Sequence, residues 1–136
     1  MAQKACPVVY RVTHEGVAIL GFQHPSAGKQ FIKGAVEDGE RPQDAALREL
    51  REESGVTPTS NLLDLGQAPI GKPAAVWHFF AVEVGGLPLH WEHQTEDDDG
   101  HAFAFFWHPL AEDLDQDWHP MFHEALWVIR RSLPLS

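Results

Sequence analysis

Glu49, Glu52 and Glu53 lie three and four residues apart in the stretch RELREESG, Arg48 to Gly55. On a helix that spacing puts side chains one above another, so three carboxylates share one side of a single turn. Like charges so placed repel by roughly 0.2–0.5 kcal/mol per pair. Gly55 is positioned to stop the helix, so the trio also crowds the carbonyl end, where the macrodipole favours cations. A divalent cation of the Mg²⁺ type takes hard oxygen ligands and completes its octahedron with water and phosphate oxygens. Such an ion would turn the repulsion into coordination. It would also invert the local field for a polyphosphate approaching a protein of net charge −10.

The trio sits in a longer pattern. Gly34, Glu40, Arg48, Glu49, Leu50, Glu52, Glu53, Gly55 and Val56 read G-x5-E-x7-R-E-U-x-E-E-x-G-U, where U is a bulky aliphatic residue. Seven fixed identities coincide by accident about once in 10⁸ placements at ordinary residue frequencies. The stretch resembles the Nudix box without a departure, over 23 of 136 residues. A solvated amphipathic helix is the plainer interpretation, but it leaves Gly34, Glu40 and Gly55 without a reason.

The resemblance implies Glu49, Glu52 and Glu53 as metal ligands for Mg²⁺ (or Mn²⁺), with the Lys33 carbonyl as a further donor. It implies that Arg48 orients a neighbouring glutamate, that Glu40 fixes the loop, and that Gly34 and Gly39 permit a tight backbone path. It further implies an α/β fold, a Nudix-type α/β/α sandwich with a mixed β-sheet. The family's reaction is hydrolysis of a nucleoside diphosphate linked to another group, X, with water attacking phosphorus and metal stabilising the phosphoryl oxygens. The general base varies within the family, being a box glutamate or a carboxylate of a later loop. Glu96, in TEDDDG, is the candidate of the second kind, with Glu92 and Asp97 to Asp99 as alternatives; a plain surface loop is the bland reading of that run. Trp91, beside Glu92 and His93, is a candidate to stack on a substrate base.

For the substrate, the default is a nucleoside triphosphate or related small nucleotide, with dinucleoside polyphosphates and ADP-ribose as alternatives. FIKGAVEDGE is similar to the PKG-type entry of diadenosine polyphosphate hydrolases, with Ile32 replacing the proline. Pro69-Ile70-Gly71-Lys72-Pro73 straddles the place where many ADP-ribose hydrolases carry a proline. The SQPWPFPxS and LLTxR runs of two other subfamilies are absent. Two further classes share the fold. A nucleotide-sensing module usually lacks box glutamates, which are intact here. An isopentenyl-diphosphate isomerase needs a catalytic cysteine, and the chain's one cysteine, Cys6, lies near the N-terminus and reads as a small buried residue.

The elements that must position this chemistry are readable in outline. Val8 to Thr13 and Val17 to Phe22 have strand composition, joined as a hairpin through His14-Glu15-Gly16. His24 to Gln30 reads as a loop. Pro42 suits a first helical turn and Asp44 its positive end, giving a helix to about Ser54. Asn61 to Leu65, Ala75 to Val84 and Ala102 to Trp107 follow as strands, with WEHQTEDDDG as an acidic loop. Trp118 to Leu133 has helical spacing, with Phe122, Leu126 and Ile129 on one side. Trp77, Trp107, Trp118 and Trp127 fit core positions. None of the nine histidines shows paired Cys/His ligand spacing, although His119 and His123 are four apart.

The chain's 136 residues suit a single domain, and 43% apolar content is ordinary for a globular protein. The acidic balance argues against a nonspecific nucleic-acid surface, which needs basic patches. No run approaches the about 18 apolar residues of a membrane span. The N-terminus lacks a signal-peptide core, and a lone cysteine suits a reducing compartment, so a cytoplasmic location is expected. The expected partner is a small nucleotide, without nucleic acid or membrane, and with a homodimer as an option.

Overall fold

The computed structural model describes residues 1–95 and 100–134. One mixed sheet forms the middle layer, ordered β5-β6-β1-β2-β8-β7. Its strands are β1 (Gln3–Thr13), β2 (Gly16–His24), β5 (Leu63–Ile70), β6 (Ala75–Glu83), β7 (Trp91–Gln94) and β8 (Ala102–Pro109). Two short strands hang off this path, β3 (Gly28–Gln30) on β2 and β4 (Gly34–Ala35) on β1. β1 runs parallel to β6, and the other pairings between these strands, among the described residues, are antiparallel.

The helices α1 (Pro42–Ser54) and α2 (Pro120–Ser132) cover opposite faces, as strand periodicity requires. On β1, Ala5 and Val9 point to one side with Ala45, Ala46 and Leu50 of α1, while Cys6 and Val8 point to the other with Phe122, Ala125, Leu126 and Ile129 of α2. On β6, Phe80 and Val82 turn towards α1, and Trp77, Phe79 and Ala81 towards α2. This is the expected α/β/α sandwich around a mixed sheet.

The α1 boundaries fall where the sequence puts them: Pro42 occupies the first turn, Asp44 follows, and Gly55 caps the end in the left-handed region at φ 77°. The hairpin from β1 to β2 closes Thr13 on Gly16, with Thr13 Oγ1 accepting from the Glu15 amide at 3.2 Å. β1 begins five residues before the expected strand because it continues through Pro7. Pro7 lies between the pairing of Lys4–Ala5 with β4 and that of Tyr10–Thr13 with β2, so on that side its missing N–H interrupts no ladder.

Several expectations need correction. His24 to Gln30 is not wholly loop, since β3 pairs there with β2. WEHQ is strand β7, inward at Trp91 and His93 and outward at Glu92 and Gln94. Three polar residues of four hide so short an edge strand. The strand expected at Asn61 to Leu65 starts at Leu63 and runs on to Ile70, with a bulge between Asp64 and Gly66. Trp118 precedes α2 rather than opening it; it is buried against Phe31, Phe106 and Phe122, while His119 Nδ1 accepts from the Met121 amide as the N-cap. Trp127 is 60% exposed rather than core, with the Arg131 guanidinium 4.1 Å from its ring centroid.

Candidate active site

α1 carries the three glutamates, and the loop before it folds back to meet them. The centre of the arrangement is Arg48, whose five N–H donors are all used. Nε donates to Glu40 Oε2 at 2.9 Å, and one terminal nitrogen donates to Glu40 Oε1 at 3.0 Å and to the Ala35 carbonyl at 2.9 Å. The other terminal nitrogen donates to Glu49 Oε1 at 2.8 Å and to Glu52 Oε2 at 3.3 Å. Glu40 also accepts from the Glu37 amide at 3.0 Å, which closes the loop on itself. One guanidinium thus fixes the loop through Glu40 and orients Glu49 and Glu52. The Arg48 hydrogen bond is the main reason the Glu40 carboxyl is held down at about 2, from 4.5.

Gly34 has a steric reason. A β-carbon there would occupy the space of the Glu49 carboxyl group, so glycine makes the hollow that the carboxylate fills. Gly39 takes φ 78°, a tight-turn conformation. Lys33 is half-buried; burial, then Lys4, lowers its ammonium below the ordinary value, against the opposing pull of Glu53 and Glu49. Glu53 is half-buried, with Oε2 shielded from solvent.

The donor chemistry fits a hard divalent cation: carboxylate oxygens from one turn, one of them seated in a backbone hollow. Yet among the described residues no three His, Cys, Asp or Glu side chains converge closely enough to hold a metal ion. Glu49 and Glu52 are instead gathered on Arg48, which already relieves part of the repulsion that a cation was expected to relieve.

The other candidates divide. Trp91 comes to the end of α1: its indole N–H donates to the Ser54 carbonyl at 3.2 Å, and its ring stacks on Phe105 at 5.0 Å and 12°. It borders a cavity of about 410 Å³ with Gly55, Val56, Thr57, Val84, Leu87 and Pro88. Glu92 is exposed, and strand alternation puts it on the sheet face away from α1. Glu96 and Asp97 to Asp99 lie outside the described residues. Cys6 is fully buried, and burial pushes its thiol up to about 12. His93 was not singled out by the sequence; its ring packs 3.0 Å from where a β-carbon on Gly55 would sit. No local spacing marks it, because the contact joins an edge strand to a helix end.

The family model described as the NUDIX domain matches residues 4–127. The chain belongs to the Nudix family. Over 68 residues it is 32% identical to an RNA pyrophosphohydrolase of Cereibacter sphaeroides, covering 48% of this chain and 41% of that protein. Over 128 residues it is 27% identical to an RNA pyrophosphohydrolase of Roseobacter denitrificans, covering 92% and 76%. A mouse ADP-sugar pyrophosphatase is 45% identical over 58 residues, covering 40% of this chain and 27% of that one. The first of these matches thus spans about two fifths of the relative's length. Among solved structures, this Nudix fold is similar to the NUDIX domain of Shewanella oneidensis NrtR complexed with ADP ribose, with TM-score 0.71, 16% identity and coverage of 98% and 88%. It is also similar to a C. elegans Ap4A hydrolase, with TM-score 0.67, 16% identity and coverage of 98% of both chains. Both likenesses concern the fold.

Proposed function

We propose that this Nudix protein is a divalent-metal-dependent hydrolase of a nucleoside diphosphate linked to a further group, acting on nucleoside triphosphates or related small nucleotides. The observation that supports this is the complete box joined in one hydrogen-bonded network, with Arg48 bonded to Glu40, Glu49 and Glu52 and Gly34 leaving room for the Glu49 carboxylate. Glu49, Glu52, Glu53 and the Lys33 carbonyl would hold Mg²⁺ or Mn²⁺. Such an ion polarises phosphoryl oxygens and lowers the pKa of bound water. Arg48, bonded to Glu49 and Glu52, would set the orientation from which those carboxylates meet the ion. The general base comes from a box carboxylate or from Glu96.

The names of the relatives favour pyrophosphate-containing substrates in general, with ADP-ribose-like compounds and dinucleoside polyphosphates as the second reading. The test is chromatographic analysis of products from nucleoside triphosphates, ADP-ribose, diadenosine tetraphosphate and a 5′-triphosphorylated RNA, with Mg²⁺ and with EDTA. We expect hydrolysis of at least one mononucleotide that EDTA abolishes. Glu53→Gln lowers turnover about 100-fold or more while the circular dichroism spectrum stays unchanged. Turnover in Glu53→Gln equal to the parent's removes the role assigned to that carboxylate.

A further inference from the structure

β7 does more than end the sheet. Alternation along this short strand aims Trp91 and His93 at the last turn of α1, and both reach it. That turn leaves carbonyls with no partner inside the helix. The Trp91 N–H takes the Ser54 carbonyl at 3.2 Å. Ser54 itself is buried, its hydroxyl donating to the Leu50 carbonyl at 2.6 Å and accepting from the Val56 amide at 3.2 Å. The Gly55 amide donates to the Arg51 carbonyl at 2.9 Å. Each of these bonds ends within or just beyond the turn that carries Glu52 and Glu53.

His93 closes the same turn sterically. Its ring lies 3.0–3.1 Å from the β-carbon position of Gly55, so the helix end is pinned from outside. Its Nε2 is buried and has no hydrogen-bond partner among the described residues, which is consistent with a ring held for its shape. Trp91 is in turn held flat on Phe105, and Phe105 is fully buried against Phe22 at 5.3 Å. A continuous packed path therefore runs from the core, through one edge strand, to the end of the box helix.

We propose that Trp91 and His93 are positioning residues that hold the last turn of α1, and with it Glu52 and Glu53, in the orientation hydrolysis requires. The proposal rests on the hydrolase reading above. It assigns Trp91 a role through the Ser54 carbonyl rather than through a stacked base. Trp91→Phe helps separate the two roles, since phenylalanine keeps a flat ring able to stack on Phe105 and loses the N–H together with part of the indole's area.

The experiment pairs steady-state kinetics, across a Mg²⁺ titration, with amide hydrogen exchange along α1, for the parent, Trp91→Phe and His93→Ala. Loss of a hydrogen bond of ordinary strength corresponds to about a tenfold change. In Trp91→Phe, which loses such a bond, kcat falls about tenfold with KM within about twofold and the Mg²⁺ concentration for half-maximal rate rises; His93→Ala, which removes a steric contact, moves the same quantities in the same direction. Exchange at Gly55 and Val56 quickens about tenfold while the first turn of α1 keeps its protection. A raised KM with intact kcat overturns the proposal in favour of a base platform. A lower melting temperature with unchanged kcat per folded molecule overturns it in favour of a purely structural contact, as does exchange that rises uniformly along α1. The exchange arm needs no turnover, so a parent protein that hydrolyses nothing on the panel counts against the hydrolase reading, while unchanged exchange counts against the brace.

Discussion

Arg48 is the residue on which the site's electrostatics turn. It faces Glu40, Glu49 and Glu52 within hydrogen-bond distance, and its Nε lies 3.5 Å from Glu37. Lysine offers three rotatable donors on a point charge and cannot reproduce a planar five-donor fork. Glu40 supplies a measurable consequence. Its folded carboxyl is held at about 2 against an ordinary 4.5. A carboxyl depressed on folding contributes stability that is complete above its unfolded value and is lost as pH falls towards the folded one. Urea unfolding should therefore show a loss of stability beginning near pH 4.5 and continuing towards pH 2, and Arg48→Lys should flatten that limb. An identical acid limb in the variant would contradict the pairing. Cys6 offers a second test. A thiol raised to about 12 and fully buried should resist alkylation in the native protein at neutral pH, and react at once in denaturant.

The box helix is the element for which sequence and structure agree most closely, because its signals are local: proline at the start, glycine in the left-handed region at the end, and alanines and leucine facing the sheet. Gly55→Ala tests that end on two counts. Alanine must adopt φ 77° and must also push its β-carbon against the His93 ring. The expected destabilisation is about 1–3 kcal/mol by chemical denaturation, larger than for an alanine that meets only the backbone penalty. His93→Ala should recover part of it. What the sequence did not disclose is what depends on distant partners. β7 reads as an acidic loop because its strand character comes from β8 beside it and from α1 beneath, and β3 and β4 are too short to carry a pattern of their own. The box residues were legible because the chemistry fixes their spacing; the contact of Trp91 with Ser54 spans 37 positions and leaves no periodic trace. Trp127 misled because tryptophan is usually at least half-buried, whereas here a stacked Arg131 shields it on the surface.

For the molecule as a whole, the proposed metal site would tie stability to its ion. A ligand that binds only the folded state adds RT ln(1 + [L]/Kd), about 2.7 kcal/mol at a hundredfold excess over Kd. Mg²⁺ or Mn²⁺ should accordingly raise the melting temperature of this Nudix protein, EDTA should reverse the gain, and Glu53→Gln should blunt it. A melting temperature indifferent to either ion would leave the carboxylate trio without its assigned occupant. The sheet's far border carries a different lesson. β5 is an outermost strand, bulged between Asp64 and Gly66 and carrying Pro69, which has no N–H. A bulged border that carries a charge and lacks an amide at one position makes a poor template for a foreign strand. Crowded solutions of this chain should accordingly stay free of fibrils, and replacing Pro69 with valine, which restores an amide to that border, would invite them.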